Sequence, residues 1–141
     1  MVKSCCIVGE KSRAKVKWIG KLQFVGASRE HSVVIDQKVE DGGENIGFKP
    51  TELLLIALGG CLGTNIISVA KLWNIDISNL ELDVEVERSV DGCAKWRFTV
   101  NVHIDGNISE EDKKKLIKVA KETCKISDIL RSSCDVQVRF E

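Results

Sequence analysis

Six cysteines are the side chains in this 141-residue chain best suited to redox or covalent chemistry: Cys5, Cys6, Cys61, Cys93, Cys124 and Cys134. In a reducing compartment a cysteine is a buried small hydrophobe, a metal ligand or a redox group. A metal site is disfavoured, because no CxxC occurs and His31 and His103 are the only histidines. No metal and no other cofactor is therefore expected. A secreted disulfide scaffold is also disfavoured, since the chain has enough apolar residues for a full core. The N-terminal stretch MVKSCCIVGEKSRAKVKW has too short an apolar run for a signal peptide, which makes a cytoplasmic protein the expectation. Two thiols stand apart by context. Cys61 is flanked by Gly59, Gly60 and Gly63, each weakening a helix interior by roughly 1 kcal/mol relative to alanine, so a backbone or a substrate has to come close there. Cys124 lies where its helix breaks, at Lys125-Ile126-Ser127. Each could reach a crevice as a reagent, and each could equally be an inert core residue.

The element that positions Cys61 runs from Pro50 to Trp73 and carries no charged side chain between Leu53 and Ala70. Pro50, the only proline, suits the first position of a helix, where its missing N–H costs nothing. Glu52 in the first turn and Lys71 in the last complement the helix dipole. Apolar residues fall on all sides, so the helix should be wrapped by protein rather than packed along one stripe. Its length would also suit a membrane span, and Gly59 and Gly63 form a GxxxG pair. Thr64, Asn65 and Ser68 are polar, however, and the other elements would lose their core, so a soluble central helix is expected.

Around it the chain reads as one domain, residues 1–141, with 1–12 a loose extension. A half-buried strand carrying Val16 and Trp18 turns at Gly20. A second strand with Leu22 and Phe24 is broken at Gly26, and Ser32 to Asp36 forms a third, giving an antiparallel meander. A glycine-rich loop, 37–49, leads to the helix. Leu80, Leu82, Val84 and Val86 then alternate with acidic residues and turn at Asp91-Gly92 into a strand from Ala94 to Ile104. Ser109 reads as the N-cap of a helix whose inner face carries Leu116, Val119, Ala120 and Cys124. Ser127 reads as the cap of a short helix, 128–132, and Val136, Val138 and Phe140 as a closing strand. Strands, helix, hairpin, helix and strand make an α+β domain.

Lysine plus arginine and aspartate plus glutamate number 21 each, so the net charge is zero. Nothing electrostatic points to nucleic acid or to an anionic membrane, and a neutral chain tolerates self-association. One sheet cannot cover both sides of so apolar a helix, so a homodimer with central helices back to back is expected.

Pro50, Glu52-Leu53-Leu54-Leu55 and Ala57-Leu58-Gly59-Gly60-Cys61, with Cys124-Lys125-Ile126-Ser127 and Ile129-Leu130 downstream, resemble the OsmC/Ohr family. This is the family of osmotically inducible protein C and organic hydroperoxide resistance proteins. The order of elements agrees over most of the chain, from about Lys15 to Phe140. The resemblance implies an α+β fold of antiparallel sheets around a long buried helix, in an intertwined homodimer with active sites at the subunit interface. It implies reduction of organic hydroperoxides, with Cys61 the peroxidatic thiolate and Cys124 the resolving thiol. The attack leaves a sulfenic acid that a second thiol condenses to a disulfide. A small dithiol or a protein thiol would return the electrons. A cation should sit beside Cys61. The family's arginine and glutamate map to Arg29 and Glu52, with Arg13 and Arg97 as alternatives to Arg29 and Cys134 as a competitor of Cys124. Thr51 stands where the hydroperoxide-resistance branch has its glutamate, and Lys125 where proline usually follows the second cysteine. A non-catalytic OsmC-like dimer binding a small apolar ligand or partner in the dimer crevice is the alternative these departures imply.

Overall fold

In the computed structural model, which describes residues 11–90 and 95–140, two antiparallel sheets and three α-helices account for most of the chain. Cys5, Cys6, Cys93 and the Asp91-Gly92 turn lie outside the described residues. The chain divides into two units, one ending at Ile56 and the other running on from Ala57.

The first unit is the expected meander: β1 (Lys15–Gly20), β2 (Gln23–Ser28) and β3 (His31–Ile35), each antiparallel to the next. Two expectations need correction. β2 runs straight through Gly26, which pairs with Val33, and the chain turns instead at Arg29, whose φ of 55° closes the tight connection to β3. β1 is not half-buried, because Val16 and Trp18 are both exposed.

A buried carboxylate organises the loop after β3. Asp36 is fully inaccessible, and its side chain accepts hydrogen bonds from the backbone amides of Gln37, Glu44 and Ile46 and from Gln23 Nε2. Gly43 folds against this knot so closely that a Cβ there would lie 2.0 Å from the Gln37 carbonyl oxygen, which excludes any larger residue. Phe48 then bridges back to Ile35, and the helix α1 (Pro50–Leu72) begins at the proline, as expected.

In the second unit, α1 buries Leu58, Leu62, Ile66 and Val69. Their spacing draws one stripe along the helix, so the expectation of burial on all sides fails within a single chain. Leu72 stays exposed because the hairpin and the later helices cover only one side, and Leu54 and Ile56, in the first unit, are exposed as well. By length and composition alone α1 could cross a membrane, with a hydropathy of 2.0 over its most apolar window and 28% of that window buried. Fully burying each aliphatic side chain contributes on the order of 2 kcal/mol, which makes this stripe the backbone of the core.

β4 (Ile77–Arg88) and β5 (Trp96–Gly106) pair with each other as a hairpin. Leu80, Leu82 and Val84 oppose Ile104, Val102 and Val100, packing against the core, while Glu87 faces Arg97 across the outer side. Helix α2 (Glu110–Glu122) starts where expected, with the Ser109 hydroxyl accepting from the Asp112 amide. Helix α3 (Lys125–Arg131) starts three residues earlier than expected: Cys124, not a hydroxyl residue, occupies the N-cap position. The closing strand is a further correction. Residues 133–140 take no regular structure, and Val138 and Phe140 are 91% and 102% exposed. The alternation is real, but the stretch pairs with no strand among the described residues.

Candidate active site

Cys61 sits in the middle of α1, partly buried, against the core that Leu58 and Leu62 build on either side of it in sequence. The glycines around it answer the question of what comes close. A Cβ at Gly59 would meet Val84 at 3.0 Å and one at Gly63 would meet Leu82 at 3.4 Å, so β4 lies hard against the helix on that side. Gly60 is different: a Cβ there would meet nothing within 4 Å.

Cys124 arrives from α2. That helix buries Leu116 and Ala120 in the same core, and the chain breaks just beyond them, leaving Cys124 1% exposed at the junction with α3. It lies near enough to Cys61 for the two thiols to influence one another electrostatically. Burial pushes the Cys124 thiol up from its ordinary value, and the Cys61 sulfur pushes the same way, while the amides of Ser127 and Ile126 pull against them. Cys124 is thus held as a neutral thiol at physiological pH, next to the sulfur of Cys61.

One residue that sequence reasoning passed over holds this pairing in place. Asn65, a turn beyond Cys61 on α1, donates from Nδ2 to the Ala120 carbonyl and to Thr123 Oγ1, both at 3.2 Å. Thr123 Oγ1 in turn donates to the Val119 carbonyl at 3.1 Å. The amide therefore ties α1 to the last turn of α2, immediately ahead of Cys124. Its signal in the sequence was an amide four residues after Cys61 in an otherwise apolar helix, which had counted only as an argument against a membrane.

The other expected site residues are engaged locally. Arg29 stands at the turn between β2 and β3, its side chain 74% exposed, with Glu30 at 3.8 Å. Glu52 accepts a hydrogen bond from the Lys49 amide at 2.8 Å, which fixes the first turn of α1. Arg13 contributes its carbonyl to Ser28 Oγ. Cys134 is exposed, and its thiol donates to the Ile129 carbonyl at 3.5 Å. Among the described residues no cluster of His, Cys, Asp and Glu could hold a metal ion.

Beside Cys124 opens a cavity of about 660 Å³. Leu58, Leu62, Phe98, Val100 and Leu130 form its apolar part, Lys95, Arg97, Lys121 and Arg131 also line it, and Cys124 belongs to the lining.

The site is thus a partly buried, glycine-flanked thiol on a long helix beside a buried second thiol at a helix break. The family model described as OsmC-like protein matches residues 42–139. The chain belongs to the OsmC-like family. Protein YhfA of Escherichia coli K12 is 30% identical over 93 residues, which take in 64% of this chain and 65% of that one. The chain thus spans just under two thirds of the length of the curated relatives it matches. Among solved structures, an OsmC-like protein from Mycoplasma pneumoniae superposes with a TM-score of 0.76 at 21% identity, covering 88% of this chain and 89% of that one. An organic hydroperoxide resistance protein OsmC from Legionella pneumophila superposes with a TM-score of 0.66 at 20% identity, covering 89% and 92%. At these identities the structures establish the fold: α+β, with antiparallel sheets and a long helix, as expected.

Proposed function

We propose that this OsmC-like protein is a cytoplasmic, dimeric cysteine peroxidase acting on organic hydroperoxides. The observation that carries this reading is the electrostatic coupling of Cys61 on the long helix to Cys124 at the helix break, supported by structural likeness to an organic hydroperoxide resistance protein. In the first step the Cys61 thiolate attacks one peroxide oxygen, the O–O bond breaks, and the alkoxide leaves and takes a proton. Cys61 is then a sulfenic acid. Cys124, kept as a thiol by burial, condenses with it: the S–S bond forms, the S–O bond breaks, and water departs. An external dithiol or protein thiol returns two electrons. Within this reading Arg29 and Glu52 serve the activation of Cys61 in the assembled dimer.

Replacement of each cysteine tests the scheme. Cys61→Ser should abolish consumption of cumene hydroperoxide, whereas Cys124→Ser should consume one equivalent and stall as a sulfenic acid detectable with dimedone. Undiminished turnover by Cys61→Ser protein would sink the assignment.

The apolar cavity favours a second reading, a non-catalytic dimer that binds a small apolar ligand. That reading is preferred if both cysteines survive a stoichiometric dose of peroxide unchanged.

A further inference from the structure

We propose that the cavity beside Cys124 is where the reductant enters, that it selects thiols bearing a negative charge, and that such a thiol attacks Cys124 rather than Cys61. The proposal rests on the disulfide cycle above and assigns its reductive half a separate door.

Two independent features support it. The cavity is lined by Cys124 and not by Cys61. Cys61 is itself partly exposed and adjoins Gly60, beyond which there is open space. The two sulfurs are therefore reached by different approaches, and a molecule seated in the cavity meets Cys124. The second feature is charge. Lys95 just before β5, Arg97 at its start, Lys121 in the last turn of α2 and Arg131 at the end of α3 converge on the cavity, and no acidic side chain is among its lining residues that are described. Arg97 shares its charge with Glu87 at 3.5 Å, and Arg131 is steadied by the Ser127 carbonyl at 3.3 Å. A chain of zero net charge has thus gathered cations around one apolar hollow, where low-dielectric walls focus their field on an incoming anion.

The chemistry points the same way. A reductant thiolate attacks the Cys124 sulfur, the Cys61–Cys124 bond breaks, and Cys61 departs as a thiolate. Cys124 is left in a mixed disulfide with the reductant. A second thiolate attacks the reductant's sulfur in that bond, the reductant leaves as its own disulfide, and Cys124 recovers a proton from water. Thiol–disulfide exchange favours expulsion of the more stable thiolate, and burial makes Cys124 the poor leaving group.

The test begins from protein oxidised with diamide to the Cys61–Cys124 disulfide, so that it does not depend on peroxide turnover. Its reduction is followed at low ionic strength with 2-mercaptoethanesulfonate, 2-mercaptoethanol and cysteamine, with rates corrected for thiolate fraction. The anionic thiol should react at least about tenfold faster than the cationic one, in the range known for electrostatic steering. A Lys121→Glu/Arg131→Glu double variant should erase that preference. Rapid quenching with an alkylating agent and peptide mapping should find the mixed disulfide on Cys124 and the alkyl group on Cys61. Rates independent of charge, or a mixed disulfide on Cys61, would overturn the proposal. If diamide joins no Cys61–Cys124 pair, the disulfide cycle itself fails and the proposal with it. Charge preference and a Cys124 adduct in a protein that consumes no peroxide would uphold the thiol door and overturn the peroxidase reading alone.

Discussion

Two sulfurs and one carboxylate show how far a side chain's surroundings alter what its type alone would suggest. Cys124 is a thiol because it is buried, and it stands beside Cys61 because α2 ends there. Asp36 is the reverse case. Burial alone would push its carboxyl up, but the amides of Gln37, Ile46 and Glu44 and the side chain of Gln23 together hold it below its ordinary value of 3.8. A carboxyl depressed in the folded state stabilises the fold above the unfolded pKa, and that contribution is lost as pH falls through and below about 3.8. Glu44, drawn down by Lys21 and Gln23, acts in the same sense. Urea unfolding midpoints should therefore fall steeply in acid for the natural chain, whereas Asp36→Asn should be weaker at neutral pH and flatter below pH 4. Parallel curves for the two proteins would show that the carboxylate is not what holds the loop. At this scale the sequence was only partly legible. Cys61 stood out by its glycines, yet its meeting with Cys124 was implied by family resemblance alone. Asp36 closed an apolar run and looked like any acid at a strand end, since nothing local announces three amides converging from a loop ten residues long.

Among elements, periodic and boundary signals each held in some places and failed in others. The β4–β5 register, the Ser109 cap and the Pro50 start each follow from a local pattern with a local cause. The start of α3 does not, because Ser127 is the better capping type but the break in α2 puts Cys124 at that position. The stretch 133–140 alternates as a strand would, but alternation specifies which face each residue would take and not whether the stretch pairs with another strand. The tie between α1 and α2 is likewise invisible to periodicity. Asn65→Ala should cost about 1 kcal/mol of stability, as for one lost hydrogen-bonded amide. Its effect on chemistry should be selective: slower closure of the disulfide from the sulfenic acid, with the first peroxide step little changed. Stopped-flow separation of the two steps checks this, and equal slowing of both would make Asn65 a general structural residue.

For the whole molecule, the apolar surface left open is the dominant fact. Ile56 on α1 is 53% exposed, Trp18 on β1 is exposed, and Val136, Val138 and Phe140 are exposed on a segment without regular structure. A second copy of the chain is the occupant proposed here, so sedimentation should give twice the 15.6 kDa chain mass, and Ile56→Glu should shift the species toward the monomer. A natural chain that sediments as a monomer would contradict the dimer. The peroxidase cycle and the reductant door both presuppose one event at the centre of the account, the joining of Cys61 to Cys124. Its most direct test is peptide mapping of the fully reduced protein after one equivalent of cumene hydroperoxide. A mass loss of two hydrogens located to a Cys61–Cys124 disulfide is the expected result. All cysteines recovered as free thiols would contradict it, and the cavity would then have to be explained by a ligand rather than a reductant.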